Sequence, residues 1–519
     1  MQRPERIVSK SYITIIALLL SILAVLAGYL VSDRIFEDMA HIEDEMAYVW
    51  QAQAIARGHL SLPSPPEPKS FLIPFVVDYN GQRFGKYPLG WPVVLAFGVL
   101  LGIRSLVNPL LGGVGVWLTY RLGQRLMGEK IGLIAAALTV TSPFFLMNTG
   151  SLLSHPLGLV LSATFTLGWL DAFFESSPLY NKPRLPTLVA AFSLGLLALT
   201  RPFTAVAVGL PFGLHGLYLL WRGDWPTRRR LICLGVIVLG IASLHFVWQY
   251  AMTGDPLLNP YTLWWDYDKI GFGAGHGHDQ GHSLFQAWVN TKFSLWVGYR
   301  DLFGWGTYSW TFLPLGLLAV RHDRRSWLVT SIFPSLVIVY MAYWIGSYLF
   351  GPRYFYESLF CLTLLSAAGI AWLAGWPIQT GPTEPEQPIP ATPPWQHTRS
   401  LGVMILVTLL VSINLLFYTP PRLQMMHGLY NVQRSHIEPF LTASAQELTP
   451  ALVIVHISHK WIEYGTLIEL ENPFLDTPFI FVISHGIETD STIPPHFPER
   501  RVYHYYPDEP YKFYLAPRP

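Results

Sequence analysis

SYITIIALLLSILAVLAGYLV, residues 11–31, runs without a single charge. A membrane-spanning helix needs about 20 predominantly apolar residues, because it must cross a hydrocarbon core about 30 Å thick. This stretch is long enough. It carries no small-residue cleavage site, so it reads as an anchor and not as a cleaved leader. The rest of the chain agrees with that reading. Of its 519 residues 51% are hydrophobic and 14% aromatic, and only 13% are charged, where a soluble domain carries about 25% charge. The sequence therefore predicts a polytopic, mostly α-helical membrane protein. A formal net charge of +1 says nothing about nucleic acid, no basic stripe appears, and no nucleic-acid partner is expected. Cys233 and Cys361 both lie in apolar runs, and no structural disulfide is expected.

Eleven spans are predicted: 11–31, 107–120, 131–147, 157–174, 187–200, 203–221, 232–251, 308–320, 327–348, 358–375 and 400–418. Lys and Arg in short connections set the orientation. One set of ends carries RPERIVSK (3–10), RLGQRLMGEK (121–130), NKPR (181–184), WRGDWPTRRR (221–230) and RHDRR (321–325), and this side is read as cytoplasmic. The N-terminus is then cytoplasmic, and an odd count puts the C-terminus outside together with loops at about 32–106 and 252–307. QTGPTEPEQPIPATPPWQ (379–396) reads as an extended cytoplasmic linker. Residues 1–418 form the transmembrane part. Residues 419–519 differ in kind: ALVIVHI (451–457), PFIFVIS (478–484), RVYHYY (501–506) and YKFYLA (511–516) are predicted strands behind a helical pattern at 429–447. They predict a small external α/β domain.

Just beyond the first span stands HIEDEMAYVWQAQAIARG (41–58), with Glu43, Asp44 and Glu45 in a row. Acids in the first turn of a helix offset its positive end, and Gly58 falls where such a helix would stop. Structure alone accounts for that much. On a helix, however, Asp44, Tyr48 and Gln51 share one face, and the same loop then delivers FGKYPLGWP (84–92), a cation and an aromatic among prolines.

The order D-E-x-x-Y (Asp44, Glu45, Tyr48) followed by G-K-Y-P-x-G-x-P (Gly85, Lys86, Tyr87, Pro88, Gly90, Pro92) resembles the GT-C class of membrane glycosyltransferases, in particular the protein O-mannosyltransferases and the lipid A aminoarabinose transferase. ALTRPFTA (198–205), GHSLFQAWVN (281–290) and GPRYFYE (351–357) extend the resemblance over about residues 11–418. It implies a GT-C fold and a transferase that moves a sugar from a polyprenyl-phosphate carrier, at the outer membrane face, to an acceptor hydroxyl on a glycan, lipid or protein. Such an acceptor is a weak nucleophile and needs a base. The leaving lipid phosphate needs fixed cations. The resemblance implies Asp44 as the base, Glu45 as its rival, and Lys86, Tyr87, Arg353, Tyr48, His282, Arg201 and His155 as donor-phosphate or substrate contacts.

Each of these has a plainer reading. Arg353 can snorkel or pair with Glu357 at i+4, Arg201 can cap the turn at Pro202, and a loop histidine such as His155 is commonly structural. At the turn of His155 relatives often present a second acid, a departure that puts a two-carboxylate site there in doubt. GFGAGHGHDQGHS (271–283) offers His276, His278, Asp279 and His282 for zinc, but its glycines fix no spacing. EDE (43–45) is the nearest approach to a D-x-D pair, so no metal site is assigned and a divalent cation stays an open cofactor. The aromatic loop NPYTLWWDYDK (259–269) reads as an interfacial belt. Two other functions compete. A flippase for lipid-linked sugars would show internal repeats and mid-membrane charges, and neither is evident. A noncatalytic scaffold would not need Asp44 beside Lys86. The absence of N-x-S/T sequons and of a retention signal favours a bacterial inner membrane.

Overall fold

The computed structural model describes residues 4–174, 182–278, 280–378, 394–458 and 461–518. The proline-rich stretch read as a cytoplasmic linker lies almost wholly outside them, as does Asp279. The chain is mostly helical. Among the described residues six helices are long and apolar enough to cross a membrane: Tyr12–Arg34, His155–Phe173, Pro202–Arg222, Trp225–Thr253, Arg353–Leu373 and Trp395–Gln424. These make it a multi-pass membrane protein. The count of eleven spans is not reached. Glu129–Val140 and Pro143–Gly150 form a pair bent by 61°, because Pro143 cannot donate to the preceding turn and Ser142 caps the new helix at Phe145 N. Arg184–Thr200 is short for a span. The expected span 308–320 shrinks to Phe312–Ala319, and 327–348 breaks into Arg324–Thr330 and Ile332–Tyr340.

Burial separates inner from outer helices among these six, with Pro202–Arg222 between. Leu359 to Ala371 are buried without interruption, and most of His155–Phe173 is buried with them. The outer helices Tyr12–Arg34, Trp225–Thr253 and Trp395–Gln424 expose Leu, Ile, Val and Phe side chains along most of their length. Apolar side chains left outward on a helix this long fit a lipid solvent, which gives them no reason to pack inward.

Two small sheets flank the helices. The first helix, α1 (Pro4–Arg34), turns directly into α2 (Glu43–Ala56). Then come β1 (Leu62–Pro63), β2 (Val76–Tyr79) and β3 (Gln82–Gly85), antiparallel in the order β1-β3-β2. Tyr79 pairs with Gln82 across Asn80-Gly81, both at positive φ (50° and 75°), the residues that a two-residue hairpin of this hand favours. The hairpin delivers Lys86 and Tyr87 beside α2. Near the C-terminus β4 (Ala451–Val455), β5 (Phe479–Ile483) and β6 (Arg501–Tyr505) form a parallel sheet in the order β5-β4-β6. The fourth expected strand, 511–516, makes only a single bridge from Tyr514 to His504. The helical stretch expected at 429–447 resolves into short turns and the helices Glu438–Leu441 and Ala443–Gln446.

This sheet is tied to the first loop. Ile483 N donates to Ser70 O at 2.8 Å, Phe71 packs among Leu452, Ile454 and Ile480, and Glu469 accepts from Ala40 N at 2.8 Å and pairs with Arg104.

Candidate active site

The site starts at the first turn of α2. Glu45 folds back to accept from His41 N (2.8 Å) and Ile42 N (3.3 Å), and its other oxygen accepts from Leu152 N (2.7 Å). Fully engaged and 1% exposed, it caps the helix and ties it to the turn before His155. Burial pushes its carboxyl up to about 7, against those backbone donors. Asp44 has the opposite setting. One oxygen accepts from Tyr87 OH at 2.7 Å and the other faces Arg353 Nη2 at 3.3 Å, while its side chain stays 22% exposed. Burial raises an aspartate, but Arg353, the Tyr87 hydroxyl and Lys86 outweigh it and hold Asp44 below its ordinary value. The sequence's rival carboxylates are thus separated. Asp44 is open and ionised, and Glu45 is closed.

The face predicted for Asp44, Tyr48 and Gln51 is real, and it meets the G-K-Y segment. Gln51 Nε2 donates to Tyr87 O at 2.9 Å, and the Tyr48 and Tyr87 rings lie 4.5 Å apart. A Cβ at Gly85 would fall 2.6 Å from Gln51 Oε1, so only glycine lets the hairpin approach α2.

Lys86 has a different carboxylate partner. Its Nζ pairs with Asp268 Oδ2 at 3.2 Å beneath the rings of Phe75 (3.6 Å), Tyr261 (4.8 Å) and Trp265 (5.0 Å). Asp268 is held in turn by Tyr343 OH and Trp344 Nε1, both at 3.0 Å. Burial lowers the Lys86 ammonium, with Asp268 and then Asp44 opposing. The aromatic loop 259–269 thus has partners within the protein, whatever its depth in the membrane. Trp264 and Trp265 pack edge-on against Phe75, and the Trp265 ring faces the Lys86 ammonium. Asp268 is the charged partner in this cluster that the sequence reading did not single out, a carboxylate set among aromatics in WWDYDK.

The second cluster is built on Glu357. Its Oε1 meets Arg201 Nε at 3.0 Å and His155 Nδ1 at 3.2 Å. A Cβ on Gly158 would sit 2.7 Å from that same oxygen. Glu357 therefore pairs with Arg201 and His155 and not with Arg353, four residues away, as expected from helical spacing. Arg353 is left to Asp44. Arg201 also donates to Ser154 Oγ and Tyr340 OH, each at 3.1 Å, and Ser154 lies 3.3 Å from Tyr48 OH. Among the described residues Arg353 Nη1 is buried without a hydrogen-bond partner.

His282 falls outside this constellation. It bonds Met341 O at 2.8 Å and stacks on Phe272, which pins its loop. Among the described residues no three His, Cys, Asp or Glu side chains are placed to hold a metal ion. Asp44 is paired with Arg353 and lies in the field of Lys86 and Arg201, and no step is routed through a metal.

No family model and no curated protein matches this sequence. Solved structures do match its fold. ArnT of Cupriavidus metallidurans, the lipid A aminoarabinose transferase, crystallised with undecaprenyl phosphate, aligns with TM-score 0.57 at 14% identity, over 94% of this chain and 89% of that one. The oligosaccharyltransferase of Archaeoglobus fulgidus in its apo form aligns with TM-score 0.50 at 11% identity, over 88% of this chain and 65% of that one. The chain thus spans somewhat under two thirds of that enzyme. The fold is the GT-C fold that the D-E-x-x-Y and G-K-Y-P motifs resemble.

Proposed function

We propose that the protein is a membrane glycosyltransferase that moves a sugar from a polyprenyl-phosphate carrier to an acceptor hydroxyl, with Asp44 as general base. One observation carries this reading. Asp44 is an ionised, accessible carboxylate beside Arg353, whose Nη1 is buried and unpartnered. A buried guanidinium nitrogen without an acceptor is costly, and a phosphate oxygen satisfies it with a charge-assisted bond.

In the reaction the acceptor O–H gives its proton to Asp44 as its oxygen attacks the anomeric carbon. The bond from that carbon to the phosphate oxygen breaks, and its electron pair leaves with the lipid phosphate. Attack opposite the leaving group inverts the centre. Arg353 stabilises the departing charge. Arg201, held by Glu357 and Tyr340, and the Lys86–Asp268 pair shape the walls, and Tyr87 orients Asp44. That ArnT binds undecaprenyl phosphate agrees with a lipid-phosphate donor. The excess of Lys and Arg at one set of helix ends supports a cytoplasmic N-terminus, chemistry at the opposite face, an external C-terminal domain from about residue 419, and an inner-membrane location.

Lipid mass spectrometry on purified wild type and Asp44→Asn tests the proposal. The expected result is a co-purifying polyprenyl-phosphate sugar, enriched in Asp44→Asn because transfer is blocked. A lipid-linked sugar still translocated across vesicles by Asp44→Asn would identify a flippase instead.

A further inference from the structure

After its last membrane-length helix the chain passes through Gly428, Tyr430 and Asn431, at φ 66°, 53° and 60°. Glycine adopts this region freely, whereas for tyrosine it is uncommon. Such conformations persist only where the surroundings over-determine them, and they gather at functional sites. Here the turn sets the Tyr430 ring 5.8 Å from that of Trp461, tilted by 39°.

The pair is braced on the helix that carries Asp44. At Gly465 a Cβ would lie 2.8 Å from the Trp461 ring and 3.3 Å from Met46 Cε. Gly465 thus sits between the indole and Met46 of α2, two residues from Asp44, where a larger side chain would meet both. Both rings remain half-buried, so neither is used up in the core. Tyr348 is 48% exposed nearby. The Tyr430 hydroxyl lies in the field of Glu43, Tyr348, Arg353 and Asp44, and Glu43 is itself half-buried. Aromatic faces beside a carboxylate match one ligand chemistry well. A sugar ring offers an apolar C–H face to the rings and hydroxyls to the acid.

We infer that Tyr430 and Trp461 form a carbohydrate-binding face, edged by Glu43, on which a sugar ring of the acceptor rests while its hydroxyl reaches Asp44. This rests on the glycosyltransferase reading of the site, and it narrows the acceptor to a glycan or glycolipid. The test uses the full-length protein in lipid nanodiscs applied to a printed glycan array, as wild type, Asp44→Asn, Tyr430→Gly and Trp461→Ala. Glycine suits φ 53°, so Tyr430→Gly removes the ring without backbone strain. Wild type and Asp44→Asn should retain a common set of glycans. Tyr430→Gly and Trp461→Ala should lose at least tenfold of that signal, with unchanged thermal midpoints and the same co-purifying lipid. No glycan retained by wild type, or equal retention by both ring variants, overturns the inference. Glycans displaced by a polyprenyl-phosphate sugar, but not by bare undecaprenyl phosphate, would give the face to the donor sugar and overturn the acceptor assignment. Glycan retention in a protein with no affinity for polyprenyl phosphate would keep the carbohydrate face and sink the transferase reading instead.

Discussion

Two ion pairs stand on either side of the Lys86-Tyr87 peptide, and they differ in burial more than in chemistry. Lys86 and Asp268 are 3% and 1% exposed, each ringed by aromatic or hydrogen-bonding partners. Asp44 and Arg353 are 22% and 15% exposed, and Arg353 keeps a nitrogen without a partner. A sealed pair with both carboxylate oxygens engaged holds a loop in place. An open pair with capacity to spare can exchange a partner for substrate. Sequence motifs rank Asp44 and Lys86 as equals, whereas the geometry gives them different work.

The strongest way to break this contrast is at Asp44. Asp44→Asn keeps the Tyr87 contact but removes the proton acceptor, and a positioned base contributes about 10²- to 10⁴-fold. Loss of that size is expected in release of polyprenyl phosphate from its sugar-loaded form, with thermal stability unchanged. Turnover near that of wild type would remove Asp44 from the chemistry. Glu45, locked by three backbone donors, could not take its place without unwinding the helix start.

At the sealed pair the expected loss is in folding. Asp268→Asn or Lys86→Met alone strands a buried charge or its partner, a cost of about 3–5 kcal/mol, read as a lowered thermal midpoint in detergent. Replacing both together, Lys86→Met with Asp268→Leu, should restore much of that stability. The double variant then separates two roles for Lys86. Retained polyprenyl-phosphate binding would make the pair purely structural. Lost binding in a stable protein would show that Lys86 leaves Asp268 for the donor.

Arg353 sharpens the comparison through pH. Arg353 helps to hold the Asp44 carboxyl low, so activity that needs the carboxylate persists above that low value and falls as pH drops through it. In Arg353→Gln the residual activity should be lost at a higher pH, toward the ordinary aspartate value of about 3.9. An acid limb that does not move would mean that the two groups are uncoupled in the working enzyme.

Part of this was legible beforehand. The charge-free run at 11–31, the acids of the first turn and the helical face joining Asp44 to Gln51 follow from periodicity, and the structure keeps them. Asn80-Gly81 is a hairpin signal plain enough to read, and it explains how Lys86 reaches α2. The span count is harder, because apolar length does not distinguish a straight helix from one broken at Ser142-Pro143 or at Ser331. The partners are harder still. Spacing proposes Glu357 for Arg353, but Gly158 on another helix opens the space that brings Glu357 to His155 and Arg201. Pairing in a bundle is decided by which helices touch, and no local pattern encodes that.

The weakest expected effect lies where the C-terminal sheet meets the first loop. Glu469 there is 8% exposed and binds both Arg104 and Ala40 N, so it joins backbone to side chain in a nearly dry place. Arg57, which pairs with Asp476 at 2.5 Å and lies over the Phe474 ring at 4.4 Å, is 49% exposed and its partner 54%. Water and salt screen such a pair, and ordering two mobile side chains offsets most of its attraction. Arg57→Ala should therefore change stability by no more than about 1 kcal/mol, with little left at high salt. A larger loss that survives 1 M salt would mean that the Phe474 contact carries the joint, and that the sheet is held to the membrane part by apolar packing at its rim as well as by Glu469.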